Sequence, residues 1–181
     1  GGILTMLIAA THREWLAGAL LNDVGPALDP AGLDRIRSYV GVGQSHPTWV
    51  HAARALADAN GDVYPRYGLE QWIAMAKRTL TLCNNGRIAF DYDMKIAEPI
   101  MAADEAAVPP DLWPAFGVLA DRPLALLRGE LSQLLSVQAF EEMQRRAPGA
   151  IAATVPAVGH APTLDEPEAR AAIDALLARC A

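Results

Sequence analysis

The stretch VPAVGHAPTLDEP, residues 155–167, sets a single histidine between glycine and alanine, behind an apolar run and ahead of an acidic helix start. Imidazole titrates at about pH 6.5 when unperturbed, so a side chain such as His160 suits the work of taking a proton from a hydroxyl and returning it to a leaving group. That chemistry needs a nucleophile to deprotonate and an acid to orient the ring. Two carboxylates stand in loops that bear on the question: Asp23 in NDVGP and Glu130 in RGELSQLLS. The remaining histidines, His12, His46 and His51, have no carboxylate or cysteine companions at ligand spacing and read as surface or cap residues. DYD at 91–93 is too sparse for a calcium loop, which takes ligands at regular alternate positions and a terminal Glu. Cys83 and Cys180 lie far apart without a C-x-x-C pattern, as expected of two inert thiols in a reducing compartment. No metal site is predicted.

The elements that must position His160 follow from hydrophobic spacing. Residues 3–10 read as a helix, and LAGALLND (16–23) as a buried strand ended by turn residues. Asp29-Pro30 starts a helix, with Asp placed to cap it and Pro in the first turn. From there to about Leu82 apolar residues fall three and four apart in LDRIRSYV, HPTWVHAARALADA and LEQWIAMAKRTL, which predicts helices separated by the loops GVGQS and NGDVYPRYG. NNGR (84–87) is a turn, and EAAVPPDLWPAF (105–116) a proline-broken connector. RPLALLRGE (122–130) reads as a buried parallel strand, 136–149 as a helix, AIAATVPAV (150–158) as a third strand and 166–180 as the last helix.

Strands alternating with helices define an open parallel sheet wrapped by helices, in which chemistry gathers at the carboxyl ends of the strands. NDVGP, RGELSQLLS and AVGHAPT are the three loops at that edge, so segments far apart in sequence converge on His160. The bulk numbers agree with such a domain: 181 residues, 52% of them hydrophobic, are ample for a core. The formal net charge of -6 and the scattered basic residues speak against nucleic acid or an anionic membrane as partner. No apolar stretch reaches the ~18 residues of a membrane span. A small-molecule substrate and a cytoplasmic location are the expectation; the oligomeric state stays open.

LLNDVGPALDPAGLDRI, DLWPAF, LLRGELSQLLS and VGHAPTLDEP together resemble the α/β-hydrolase superfamily, in particular its esterase-like branch with a helical cap inserted after the sixth strand. The resemblance implies a partial α/β-hydrolase fold: core over 1–24, helical cap and return connector over 25–118, core again over 119–181. The family sets its nucleophile in a G-x-S-x-G elbow, with the acid and then the histidine following in chain order. GGILTMLIAA looks like the helix after that elbow, with Gly1 matching its last glycine, so the expected serine lies upstream and the isolated chain is expected to be inactive.

His160 matches the family's catalytic histidine. The usual acid position falls at Gln133, whose neutral amide cannot stabilise an imidazolium; loss of that carboxylate in a serine protease lowers turnover by about four orders of magnitude. Gln133 therefore means a weakened enzyme, a binding protein that lost its chemistry, or an acid supplied from elsewhere. Some members carry the acid after the sixth strand, where this chain has Asp23; the alternative is that Asp23 merely caps the turn into the cap. Glu130 reads as a solvated or supporting residue. The long insertion reads as a lid on which Trp49, Trp72, Tyr64, Tyr67 and Met75 sit, with Trp113 at the return to the core. Such side chains usually pack, and those lining a pocket instead, with Trp113, Trp49 and Trp72 as the candidates, would imply a substrate with an apolar part. The implied activity is hydrolysis of a small ester, lactone or related carbonyl compound without a cofactor. The rivals are a hydrolase-like binding protein, or C-C hydrolysis, dehalogenation or epoxide opening on the same scaffold.

Overall fold

A computed structural model of the chain describes residues 1–101 and 110–180. In chain order the elements are α1 (Gly2–His12), β1 (Ala19–Asn22), α2 (Pro30–Tyr39), β2 (Ser45–His46), α3 (Trp49–Asn60), α4 (Leu69–Thr79) and β3 (Leu80–Leu82). They continue with β4 (Ile88–Phe90), α5 (Ala97–Met101), α6 (Trp113–Leu119), β5 (Leu124–Gly129), α7 (Val137–Arg146), β6 (Ile151–Val155) and α8 (Pro167–Cys180). The chain divides into two compact units, Gly1–Leu33 with Val108–Ala181, and Asp34–Ala107.

The first unit is built on a parallel sheet of order β1-β5-β6, in which Asn22 pairs with Leu127 and Gly129 with Val155. Every residue of β5 is buried. The alternation of a strand explains how one run feeds two cores. Leu124 and Leu126 join Met6, Phe116, Leu119, Phe140 and Met143 on the face covered by α1, α6 and α7. Helix α8 packs against β5 and β6 on the other side, burying Ala169, Ala172 and Leu176. A central parallel strand covered on both faces needs a continuous apolar run, and LALL supplies it.

This unit reaches further along the chain than the expected core of 1–24 and 119–181. Residues 25–33 belong to it because Asp29 N donates to Leu134 O at 2.9 Å and because Gly32 lies so close to the 133–134 backbone that a Cβ would stand 2.6 Å from Gln133 O. The stretch 113–119 belongs to it as α6, a helix packed on α1 where a connector was expected, with Phe116 and Leu119 fully buried. Residues 105–109 of that connector lie outside the described residues.

The second unit holds α3 and α4, as expected, but also a small antiparallel sheet of order β2-β4-β3 in place of an all-helical cap. Leu80 leaves the helix with φ -122° and ψ 160°, so the apolar spacing that seemed to run on to Leu82 passes into a strand. The NNGR turn closes a hairpin, with Cys83 N donating to Arg87 O at 2.8 Å and Gly86 at φ 76°, a region that favours glycine. Arg87 then fixes β2 by donating to Ser45 Oγ at 2.7 Å and Ser45 O at 2.6 Å.

Candidate active site at the carboxyl edge of the sheet

Strand β1 ends at Asn22, and Asp23 N still continues the ladder by donating to Leu127 O at 2.9 Å. Asp23 itself adopts φ 55°, a left-handed conformation that aspartate tolerates better than most residues. Its side chain is fully buried. A carboxylate at that depth has to be matched by donors, and three are present. Gly129 N donates to Oδ1 at 2.9 Å, Ser132 Oγ donates to Oδ2 at 2.7 Å, and His160 Nδ1 lies 2.8 Å from the same Oδ2. Since an ionised carboxylate only accepts, the Nδ1 proton belongs to this bond and Nε2 carries the free lone pair. The histidine side chain keeps 30% of its surface exposed, against none for the acid. A sealed anion behind a part-exposed imidazole is the arrangement a proton shuttle requires.

Two loops hold these groups. At the end of β5, Arg128 is itself buried and reaches over the loop that follows, donating to Leu135 O at 2.9 Å, Glu130 O at 3.2 Å and Ser132 O at 3.3 Å. Gly129 has no room for a side chain: a Cβ there would stand 2.5 Å from both Val158 O and Gly159 O, the residues that lead into His160. The histidine loop is tied at its start by Glu130, whose Oε2 accepts from Ala157 N at 2.6 Å, and by Leu131 N donating to Val158 O at 2.9 Å. Beyond the ring, Asn22 Nδ2 donates to Pro162 O at 2.8 Å, and Glu166 Oε1 accepts from Thr163 N at 2.9 Å. The opening turn of α1 meets the same edge, for a Cβ on Gly2 would collide with Val24, the neighbour of Asp23.

The structure thus brings His160 and Asp23 together and leaves Gln133 apart from them. Gln133 is exposed, and the residue of its loop that reaches the acid is Ser132, one position earlier. Glu130 is exposed and ties the loop, the supporting role among the two readings of it. Of the tryptophans, Trp72 is buried and packs edge-on against Tyr64 and Tyr67, at centroid distances of 5.9 and 5.2 Å. Trp113 packs edge-on against Phe116 and carries the Arg146 guanidinium 4.3 Å from its ring centroid. Trp49 is half-buried at the first position of α3. His51 Nδ1 lies 2.8 Å from the hydroxyl of Thr48, the residue that caps that helix. Among the described residues no cluster of three or more His, Cys, Asp or Glu side chains is placed to hold a metal ion, and no helix is long and apolar enough to cross a membrane. Ser132, Arg128 and Gly129 went unmarked in the sequence, although RGELSQLLS contains or adjoins all three; only the fold shows that its hydroxyl faces a carboxylate 109 positions away.

No protein-family model matches the chain. A solved α/β hydrolase from Novosphingobium aromaticivorans is 56% identical, superposes with a TM-score of 0.92 and is matched over 99% of this chain and 62% of its own. The chain belongs to the α/β-hydrolase superfamily. A 3-hydroxybutyrate-oligomer hydrolase from Cupriavidus necator is 30% identical over an alignment of 177 residues that covers 92% of this chain and 58% of the relative. A putative hydrolase from Rickettsia typhi, 21% identical with a TM-score of 0.79 over 98% of this chain and 59% of that one, shares the α/β-hydrolase fold. The chain spans less than two thirds of the length of each of these three proteins.

Proposed function

We propose that this chain supplies the acid and the base of a serine-type α/β hydrolase that cleaves a small ester, lactone or related carbonyl compound. The observation that carries the reading is the 2.8 Å bond between His160 Nδ1 and a fully buried, donor-saturated Asp23. In the proposed reaction a serine from the N-terminal part of the full-length protein attacks the carbonyl, Nε2 of His160 takes its proton and returns it to the leaving alcohol, and a water deprotonated by the same nitrogen then cleaves the acyl-serine ester, releasing the acid as the proton goes back to the serine. Backbone amides hold the oxyanion. Ser132 is no rival nucleophile, because its proton is directed at the acid and not at the base. The similarity to the 3-hydroxybutyrate-oligomer hydrolase from Cupriavidus necator supports short hydroxyacid esters as the first substrates to try.

Gln133 favours the reading of a binding protein without chemistry. Asp23 provides the carboxylate that Gln133 lacks, which supports the enzyme instead. The test is made on the full-length protein with short activated esters, short 3-hydroxyacid oligomers and a serine-directed phosphonate. Turnover, covalent labelling and loss of turnover in His160→Gln are expected. A protein that neither turns over nor labels overturns the proposal.

A further inference from the structure

The loop after β5 carries a hydroxyl whose hydrogen bonds leave it a single orientation. Ser132 Oγ accepts from Leu134 N at 3.2 Å and from Leu135 N at 3.1 Å. Both lone pairs of the hydroxyl are then engaged, and its one proton can go only to Asp23 Oδ2, 2.7 Å away. Arg128 holds the loop in that shape through the carbonyls of Glu130, Ser132 and Leu135. With Gly129 N on Oδ1, the carboxylate cannot rotate without breaking a charge-assisted bond on either side.

We propose that Ser132 is a positioning residue: by donating to Asp23 Oδ2 it fixes the carboxylate on His160 Nδ1 and so selects the tautomer in which Nε2 is the base. The inference rests on the proposed hydrolase reaction for its kinetic consequence, while the tautomer can be read without any turnover. Removing the hydroxyl frees Asp23 to turn about its remaining bond to Gly129, and Nδ1 no longer holds its proton by necessity. The loss of one hydrogen bond to a charged group corresponds to about a ten- to hundredfold fall in kcat. KM is unchanged, since Ser132 is placed to touch the acid and not the substrate.

The experiment is made on the full-length protein. Nitrogen-15 NMR of labelled histidine, at alkaline pH where the ring is neutral, reports which nitrogen of His160 bears the proton. Wild type is expected to show Nδ1–H alone, Ser132→Ala a mixture with Nε2–H and the fall in kcat, and Ser132→Thr recovery of both. Should Ser132→Ala fail to fold because the 134 and 135 amides lose their acceptor, Ser132→Cys replaces it, since a thiol keeps the shape but donates weakly. A folded Ala or Cys variant that keeps Nδ1–H and full kcat overturns the inference. If wild type hydrolyses nothing while the tautomer still shifts, the positioning role stands and the hydrolase reading fails.

Discussion

Asp23 combines full burial, a left-handed backbone and three donors, and each sets a different demand on what can replace it. Asparagine tolerates the same backbone and volume but cannot accept from all three donors while facing Nδ1. Asp23→Asn is therefore expected to fold and to lose about four orders of magnitude in kcat, the loss seen when a serine protease is deprived of its acid, with KM little moved. Steady-state kinetics with a thermal melt on the same sample checks it. At this scale the sequence was legible only in part. GHAPTLDEP marked His160 because the histidine stands where a strand gives way to a helix. The pairing with Asp23 spans 137 positions, and a single chain carries no signal that chooses between an aspartate that caps its own turn and one that reaches a ring so far away.

Strand ends, more than strands, carry the candidate site. Strand β5 finishes on Gly129, pressed against the carbonyls of Val158 and Gly159, so the spacing between the β5 loop and the histidine loop is set by the missing side chain. Gly129→Ala puts a methyl against backbone that cannot swing aside. It is expected to cost about 1–3 kcal/mol in stability and to lower kcat by displacing the histidine loop. Denaturant midpoints and turnover of the purified variant check both effects. A lowered midpoint with kcat intact would show that the loop shift does not reach the ring. The elements legible in the sequence were those with one clean period, such as β5 with its unbroken apolar run and α8 with its even helical spacing. The β2-β4-β3 sheet was not, because its strands are two or three residues long and β3 follows α4 without a break. Leu80 and Leu82 prolong the helical spacing of α4, and only the backbone at Leu80 reveals the change of conformation.

In the whole molecule, β1 pairs with β5 on one side only among the described residues, and Ile3, Leu4 and Leu7 leave α1 with an exposed apolar face. An open parallel edge beside such a face invites pairing with other chains. The 181-residue polypeptide expressed alone is expected to self-associate and to show no ester hydrolysis, as light scattering and an esterase assay would reveal. A monomeric and active product would contradict the need for an outside nucleophile. That a long insertion divides the core was legible from the distance between strand-like runs, whereas its limits were not. They depend on Gly32 meeting the 133–134 backbone and on α6 covering α1, contacts that spacing along one chain does not announce. The grip of Asp23 on the Gly129 amide has one more outcome. It stitches two neighbouring strands at their tips, so the aspartate would be retained for folding even in a descendant that had given up chemistry. When kindred sequences are gathered, drift at position 160 is expected to separate working enzymes from silent ones, and an intact position 23 to report only that the two strand tips are joined.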